Sequence, residues 1–174
     1  GIRGGRLSDL TKGGVSLTHL ETMAARLKGS GWHIQIFAAF AADPDLPGRI
    51  RRLGVPVVID HLGLLDARRG TADPAFRAVV DLLRDGLCWM KLSGPYLSSK
   101  LPAPHGDIEP IAAALVDAAP GRLVWGTDWP HPMAEGVPDD AGLLALLERW
   151  APDPAVRHRI LVDNPAALYG FPLP

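Results

Sequence analysis

"LVWGTDWPHP", residues 123–132, begins as an apolar run of strand length and ends at a single acid, Asp128, followed by Trp, Pro, His and Pro. A Leu-Val-Trp run bounded by Gly predicts a short buried strand. Side chains alternate along a strand, so Val124, Gly126 and Asp128 are expected to share one face. Gly126 leaves space beside the carboxylate, and Trp129 and Pro130 are expected to shield it and stiffen the turn. Two roles fit an acid placed there. It can cap the next segment, or, partly desolvated, it can act as a general base. Spacing alone weighs these equally.

Four similar runs precede it: residues 1–7 (GIRGGRL), 33–37 (HIQIF), 55–60 (VPVVID) and 88–94 (CWMKLSG). Helix signals fall between the runs. Thr18 and Glu21 have the spacing of a capping box, with Leu17, Leu20, Ala24 and Leu27 as its apolar stripe. Asp73-Pro74 reads as a cap and first helical residue, with Phe76, Val79, Val80 and Leu83 behind it and Gly86 as the stop. Asp107 is expected to open a helix, and Asp139 or Asp140 another. Asp153-Pro154 and Asn164-Pro165 repeat the cap-plus-proline pattern, and 43–53 predicts a shorter helix. Trp32, Trp89 and Trp150 read as core. Strand and helix alternating at about 30-residue spacing means βαβ units and a parallel sheet, as one domain over residues 1–174. A barrel and a doubly wound sheet both fit. No G-x-G-x-x-G follows the first strand, and the polar residues Arg6, His61, Ser93 and Asp128 collect at strand carboxyl ends, where barrel chemistry lies.

Composition narrows the class. Of 174 residues, 47% are hydrophobic, which excludes a disordered chain. A formal net charge of −1 gives no reason to expect a nucleic-acid partner. No apolar run reaches membrane-spanning length. The single cysteine, Cys88, excludes an internal disulfide and fits a reducing, cytoplasmic setting.

Together with "VVIDHLG" (57–63), "WMKLSGPY" (89–96) and "DNPAALYGF" (163–171), the opening stretch resembles the amidohydrolase superfamily, in particular its branch of pyrone-dicarboxylate and sugar lactonases. The resemblance implies a (β/α)8 barrel, a lactone-hydrolysing activity on a small carboxylate substrate of the kind met in aromatic catabolism, a catalytic aspartate at Asp128 and a site histidine at His61. Members carry a His-x-His pair on the first strand. The six histidines here all stand alone, and five strand candidates are visible, so the resemblance implies the C-terminal part of a longer barrel, an incomplete barrel about three βα units short and inactive by itself. Leu97 stands where an arginine is expected after "SGPY", and Phe37 where an aromatic hydroxyl is expected.

In this reading Asp128 activates water and His61 polarises the carbonyl. If both serve one site, their side chains should lie about 4 to 9 Å apart, a small substrate's width. Arg6 and Lys12 are the cations for a substrate carboxylate. Ser93, Tyr96 and His131 are candidate substrate contacts. Asp60 and His61 compete for the inward position, one capping while the other faces the site. Lys91 shares a face with Ser93 and is expected to neutralise a buried acid or to orient substrate, the first role being slightly favoured. Many amidohydrolases bind zinc or manganese through His-x-His, a further histidine and the last aspartate. His61 and Asp128 are two donors, short of a tetrahedral set, so no metal or other cofactor is expected from this chain, while a divalent metal in the full-length protein stays open. A metal-dependent decarboxylase of the same superfamily and a catalytically silent domain remain as alternatives.

Overall fold

The computed structural model describes residues 4–11 and 13–172. Five parallel strands, β1 (Gly4–Leu7), β2 (His33–Ile36), β3 (Val57–Ile59), β4 (Cys88–Leu92) and β5 (Leu123–Trp125), pair strictly in chain order. That order decides between the two expected architectures. A doubly wound sheet reverses direction once, which puts helices on both faces. Here the order never reverses, so successive right-handed crossovers lay their helices on the same face and the sheet curls as the arc of a barrel.

The crossovers are α1 (Leu20–Leu27), α2 (Leu46–Arg51), α3 (Pro74–Arg84) and α4 (Glu109–Ala118), followed by α5 (Asp140–Trp150), α6 (Pro154–His158) and α7 (Asn164–Tyr169). Leu7, Ile34, Ile36, Val57, Ile59, Met90, Leu92 and Leu123 point toward the helices and are at most 1% exposed. They meet Leu20, Ile50, Val79, Leu83, Ile111 and Leu115 in one continuous core. Truncating any one of these buried aliphatics costs about 2–5 kcal/mol. The opposite strand face carries Arg6, His33, Gln35, Val58, Trp89, Lys91 and Val124, which the pairing register sets side by side. A polar layer on the inner face is what a barrel with chemistry at its mouth requires. Among the described residues no helix is long and apolar enough to cross a membrane.

Most helix starts follow the expected chemistry. Asp73, Asp139 and Asp153 each accept a hydrogen bond from the backbone N–H two residues on. Three expectations are corrected. Ser16, not Thr18, caps the first helical turn, its Oγ accepting from Thr18 N at 3.1 Å, while Glu21 turns outward to Arg49 at 2.7 Å. A turn of 3-10 helix over Leu17–His19 precedes α1 and shifts the cap upstream. Asp107 accepts from Lys100 N and the Ser99 hydroxyl and so ties down a loop; α4 begins two residues later. Asn164 is the first residue of α7 but caps nothing, because a π turn (Arg159–Asp163) carries the helical path from α6 into α7. Its amide instead donates to Pro120 O and Leu123 O, at 2.8 and 2.6 Å, and straps the C-terminal helices to the root of β5. Trp150 is core, Trp89 is half-buried beneath the Arg122 guanidinium, and Trp32 is 37% exposed. Residues 1–3 of the first predicted strand lie outside the described residues.

Candidate active site

His61 and Asp60 do not compete for one inward position, because the chain changes hand after β3. His61, Leu62, Gly63 and Leu64 all have positive φ, between 49° and 64°. Left-handed backbone costs about 1 kcal/mol or more per non-glycine residue, and such strain collects at functional sites. The turn lets two consecutive side chains face the same side. Asp60 is fully buried in the inner layer. Its Oδ2 accepts from Gln35 Nε2 at 2.8 Å and meets Arg6 Nε at 3.2 Å. Lys91 Nζ lies 3.0 Å from Oδ1, an ion-pair approach rather than a directed hydrogen bond, since Oδ1 has no hydrogen-bond partner. Lys91 thus neutralises a buried acid, as expected. Arg6 is half exposed, held by Asp60 on one side and stacked over the Phe37 ring at 4.7 Å. Phe37 in turn meets the His61 ring edge-on at 5.1 Å.

His61 is 6% exposed. Its Nδ1 lies 2.9 Å from Ser93 Oγ, and its Nε2 lies 3.5 Å from Asp128 Oδ1. The Ser93 hydroxyl, itself buried, can donate to Nδ1, which puts the ring proton of neutral His61 on Nε2, facing Asp128. Burial pushes the His61 pKa below its usual value, against the pull of Asp60 and Asp128 and with help from Lys91 and Arg6. Burial lowers His33, on the same inner face, in the same way. Both rings are therefore held neutral where unfolded histidine, with a pKa of about 6.5, begins to charge. The unfolded chain binds more protons below that point, so stability is full above about pH 6.5 and is lost as pH falls toward the lowered folded-state values. We expect the urea midpoint to drop between pH 7.5 and pH 5.5, and a His33→Asn, His61→Asn double variant to flatten that slope. An equally steep slope in the variant would assign the acid sensitivity to other groups.

Asp128 reaches the site by a different route from strand alternation. β5 ends at Trp125, and Asp128 adopts φ 69°. The kink brings Oδ2 within 2.7 Å of Tyr96 Oη, which donates to it. That contact and burial push the Tyr96 pKa up, burial contributing most. Trp129 is 76% exposed and does not shield the acid; His61 and Tyr96 flank it instead. The 3.5 Å between His61 and Asp128 is shorter than the substrate's width expected from sequence and leaves no room for a molecule between the two groups. His131 is buried, with Nε2 3.0 Å from Asp140 Oδ1 and Nδ1 3.3 Å from Tyr96 Oη. The structure therefore gathers His61, Asp128, Ser93, Tyr96 and His131 into one chain of contacts, with Arg6 attached through Phe37. Lys12 lies outside the described residues.

Gly94 was not singled out from sequence. It has φ 54°, and a Cβ there would sit 3.0 Å from His61 Nδ1 and 3.3 Å from Leu97 Cδ1. Gly94→Ala is expected to displace the imidazole as well as strain the backbone. Stability should fall by about 1 kcal/mol or more, with a shifted His61 side-chain resonance in 15N NMR. An unmoved resonance would show that the ring does not depend on this glycine. Gln35 was also missed, although a polar residue alternating with Ile34 and Ile36 was its visible signal.

Among the described residues no three His, Cys, Asp or Glu side chains are grouped to hold a metal ion. Both His61 nitrogens already have partners, so recruiting it as a ligand would break one contact. This set does not fit a zinc site by itself. Cys88 is buried, its thiol pushed up to about 12 by burial, and is no nucleophile.

A singly wound parallel sheet with an acid, a neutral histidine and a tyrosine hydroxyl meeting at strand carboxyl ends defines a (β/α)-barrel type of architecture with its polar site on the carboxyl-end rim. The amidohydrolase family model matches residues 1–171, and the chain belongs to that family. It is 37% identical over 176 residues to a 4-sulfomuconolactone hydrolase of Rhizobium radiobacter, covering 98% of this chain and 59% of that protein. It is 32% identical over 182 residues to a 2-pyrone-4,6-dicarboxylate hydrolase of Comamonas testosteroni, covering 97% of this chain and 59% of that protein. A crystal structure of an Agrobacterium tumefaciens protein without ligand superposes with a TM-score of 0.89 at 34% identity, over 99% of this chain and 62% of the other. The chain thus spans about three-fifths of the length of these relatives.

Proposed function

We propose that the protein hydrolyses a lactone or related cyclic ester of a small carboxylic acid. The observation that carries this reading is the meeting of Asp128 and His61, from the turns after different strands, at 3.5 Å on the carboxyl-end rim, with the Tyr96 hydroxyl on the other carboxylate oxygen. The relatives named for lactone and pyrone hydrolysis support it. A carboxylate offers about four lone-pair positions, so with His61 and Tyr96 taking one each, Asp128 retains positions for a water. Asp128 takes a proton from that water as its oxygen attacks the lactone carbonyl. The His61 Nε2–H turns to the oxyanion, where a preorganised donor matters most. The tetrahedral intermediate collapses with cleavage of the ring C–O bond, and the leaving oxygen takes the proton from Asp128. Arg6, fixed by Asp60 and Phe37, offers its outer guanidinium nitrogens to a substrate carboxylate. No step is routed through a metal.

The test is a lactone-hydrolysis assay on the protein expressed from its complete reading frame, following proton release, before and after dialysis against a chelator. One proton released per ring opened, with the rate kept after dialysis, is the expected result. No turnover of any γ- or δ-lactone or pyrone would end the reading.

A further inference from the structure

A cavity of about 840 Å³ lies beside the proposed site, between the loop after β4 and the loop after β5. The size is that of a pocket for a whole small molecule. Its walls are largely apolar: Leu101, Pro104, Met133, Val137, Leu143 and Leu146 all line it. Leu101, Met133 and Val137 are 54%, 48% and 94% exposed. Large apolar side chains grouped at one opening mark a binding surface rather than ordinary scatter. The charged groups on the wall oppose one another, Lys100 and His105 against Glu135 and Asp139. Asp139 is moreover occupied in capping α5 through Ala141 N and Gly142 N. The wall therefore offers no concentrated charge to hold a second acid group.

Tyr96 connects this cavity to the acid. Its ring lines the cavity, 6.3 Å from the His105 ring, while its hydroxyl donates to Asp128. A molecule whose carbonyl lies over Asp128 and His61 would pass its substituent along the Tyr96 ring. Leu97, half-buried beside Gly94, presents a further apolar group next to His61.

We propose that this cavity is a specificity pocket for an uncharged apolar substituent, so that the substrate is a lactone bearing an alkyl or aryl group. This rests on the lactone-hydrolase reading and narrows it. Both chemistries then have a place: the ring and its carbonyl at the polar rim, the apolar tail between the two loops. Full burial of each methylene is worth about fourfold in affinity or selectivity, so a six-carbon tail, even partly buried, gives more than tenfold.

The experiment compares γ-decalactone, with a six-carbon tail, against γ-butyrolactone, with none, on the protein from its complete reading frame. Ala134→Trp, a half-buried wall position outside the catalytic contacts, fills the cavity. The expected result is a kcat/KM at least about tenfold higher for γ-decalactone, falling to near parity in Ala134→Trp while γ-butyrolactone turnover is unchanged. Equal rates for the two lactones, or a preference that survives Ala134→Trp, would overturn the pocket and leave the lactonase reading standing. If neither lactone is hydrolysed, methyl NMR decides. γ-Decalactone shifts at Leu101, Met133 and Val137 that vanish in Ala134→Trp uphold the pocket, and absence of shifts overturns it; the reaction itself stands or falls on the wider lactone and pyrone assay.

Discussion

Asp128→Asn is expected to lower lactone hydrolysis by about 10² to 10⁴-fold, the usual worth of a positioned general base, while hardly changing stability. The substitution suits this position for three reasons. Asparagine tolerates left-handed backbone as aspartate does, and residue 128 has φ 69°. The amide oxygen can still accept from the Tyr96 hydroxyl, which donates to Asp128 Oδ2 at 2.7 Å. The side chain is partly open to solvent, so the amide is not left without partners. What disappears is the proton acceptor. If Asp128 only braces the turn, the pattern reverses, with a modest loss of rate that follows a loss of stability. Measuring turnover and the urea midpoint on one preparation separates these outcomes. Near-normal turnover would leave the acid as a structural anchor for Tyr96 and His61.

The sequence exposes some features of this fold and site and hides others. The five strands were legible because parallel strands buried against helices must be short continuous apolar runs. Asp73, Asp139 and Asp153 were legible as caps because their role is local. Thr18 and Asn164 have equally good local patterns and failed, since nearby Ser16 and the π turn after α6 decide where those helices begin. At the site, His61 and Asp128 were visible as polar residues ending apolar runs. The means of bringing them together was not. Asp128 was placed inward by extending alternation beyond Trp125, where the strand has already ended, and it arrives there through a left-handed kink. The turn at His61–Leu64 contains one glycine, and nothing in Leu62 or Leu64 announces positive φ. Conformations imposed by tertiary packing on residues that disfavour them leave little local trace. The inner ionic layer had a trace that went unused: His33 and Gln35 alternate with Ile34 and Ile36 in an otherwise apolar run.

That ionic layer supports the second large effect. Asp60→Asn is expected to destabilise the fold by about 3 kcal/mol, the low end of what removing one partner from a buried ion pair costs. Asp60 is fully buried and compensates two cations, Arg6 and Lys91. The amide can keep the Gln35 hydrogen bond but leaves both positive charges facing a neutral group. The low end applies because the Arg6 and Lys91 side chains are 45% and 23% exposed and can turn toward water. If Arg6 does turn, it leaves the Phe37 ring that packs edge-on against His61. Loss of the Asp60 charge also removes an influence that raises the His61 pKa, the strongest after burial, so that pKa should fall further. A lower urea midpoint together with a downward shift of the His61 titration by NMR is the expected pair of results. An unchanged midpoint would mean that water already compensates Arg6 and Lys91 in the folded protein. A lower midpoint with an unchanged His61 titration would confine Asp60 to stability and detach it from the ring that it adjoins.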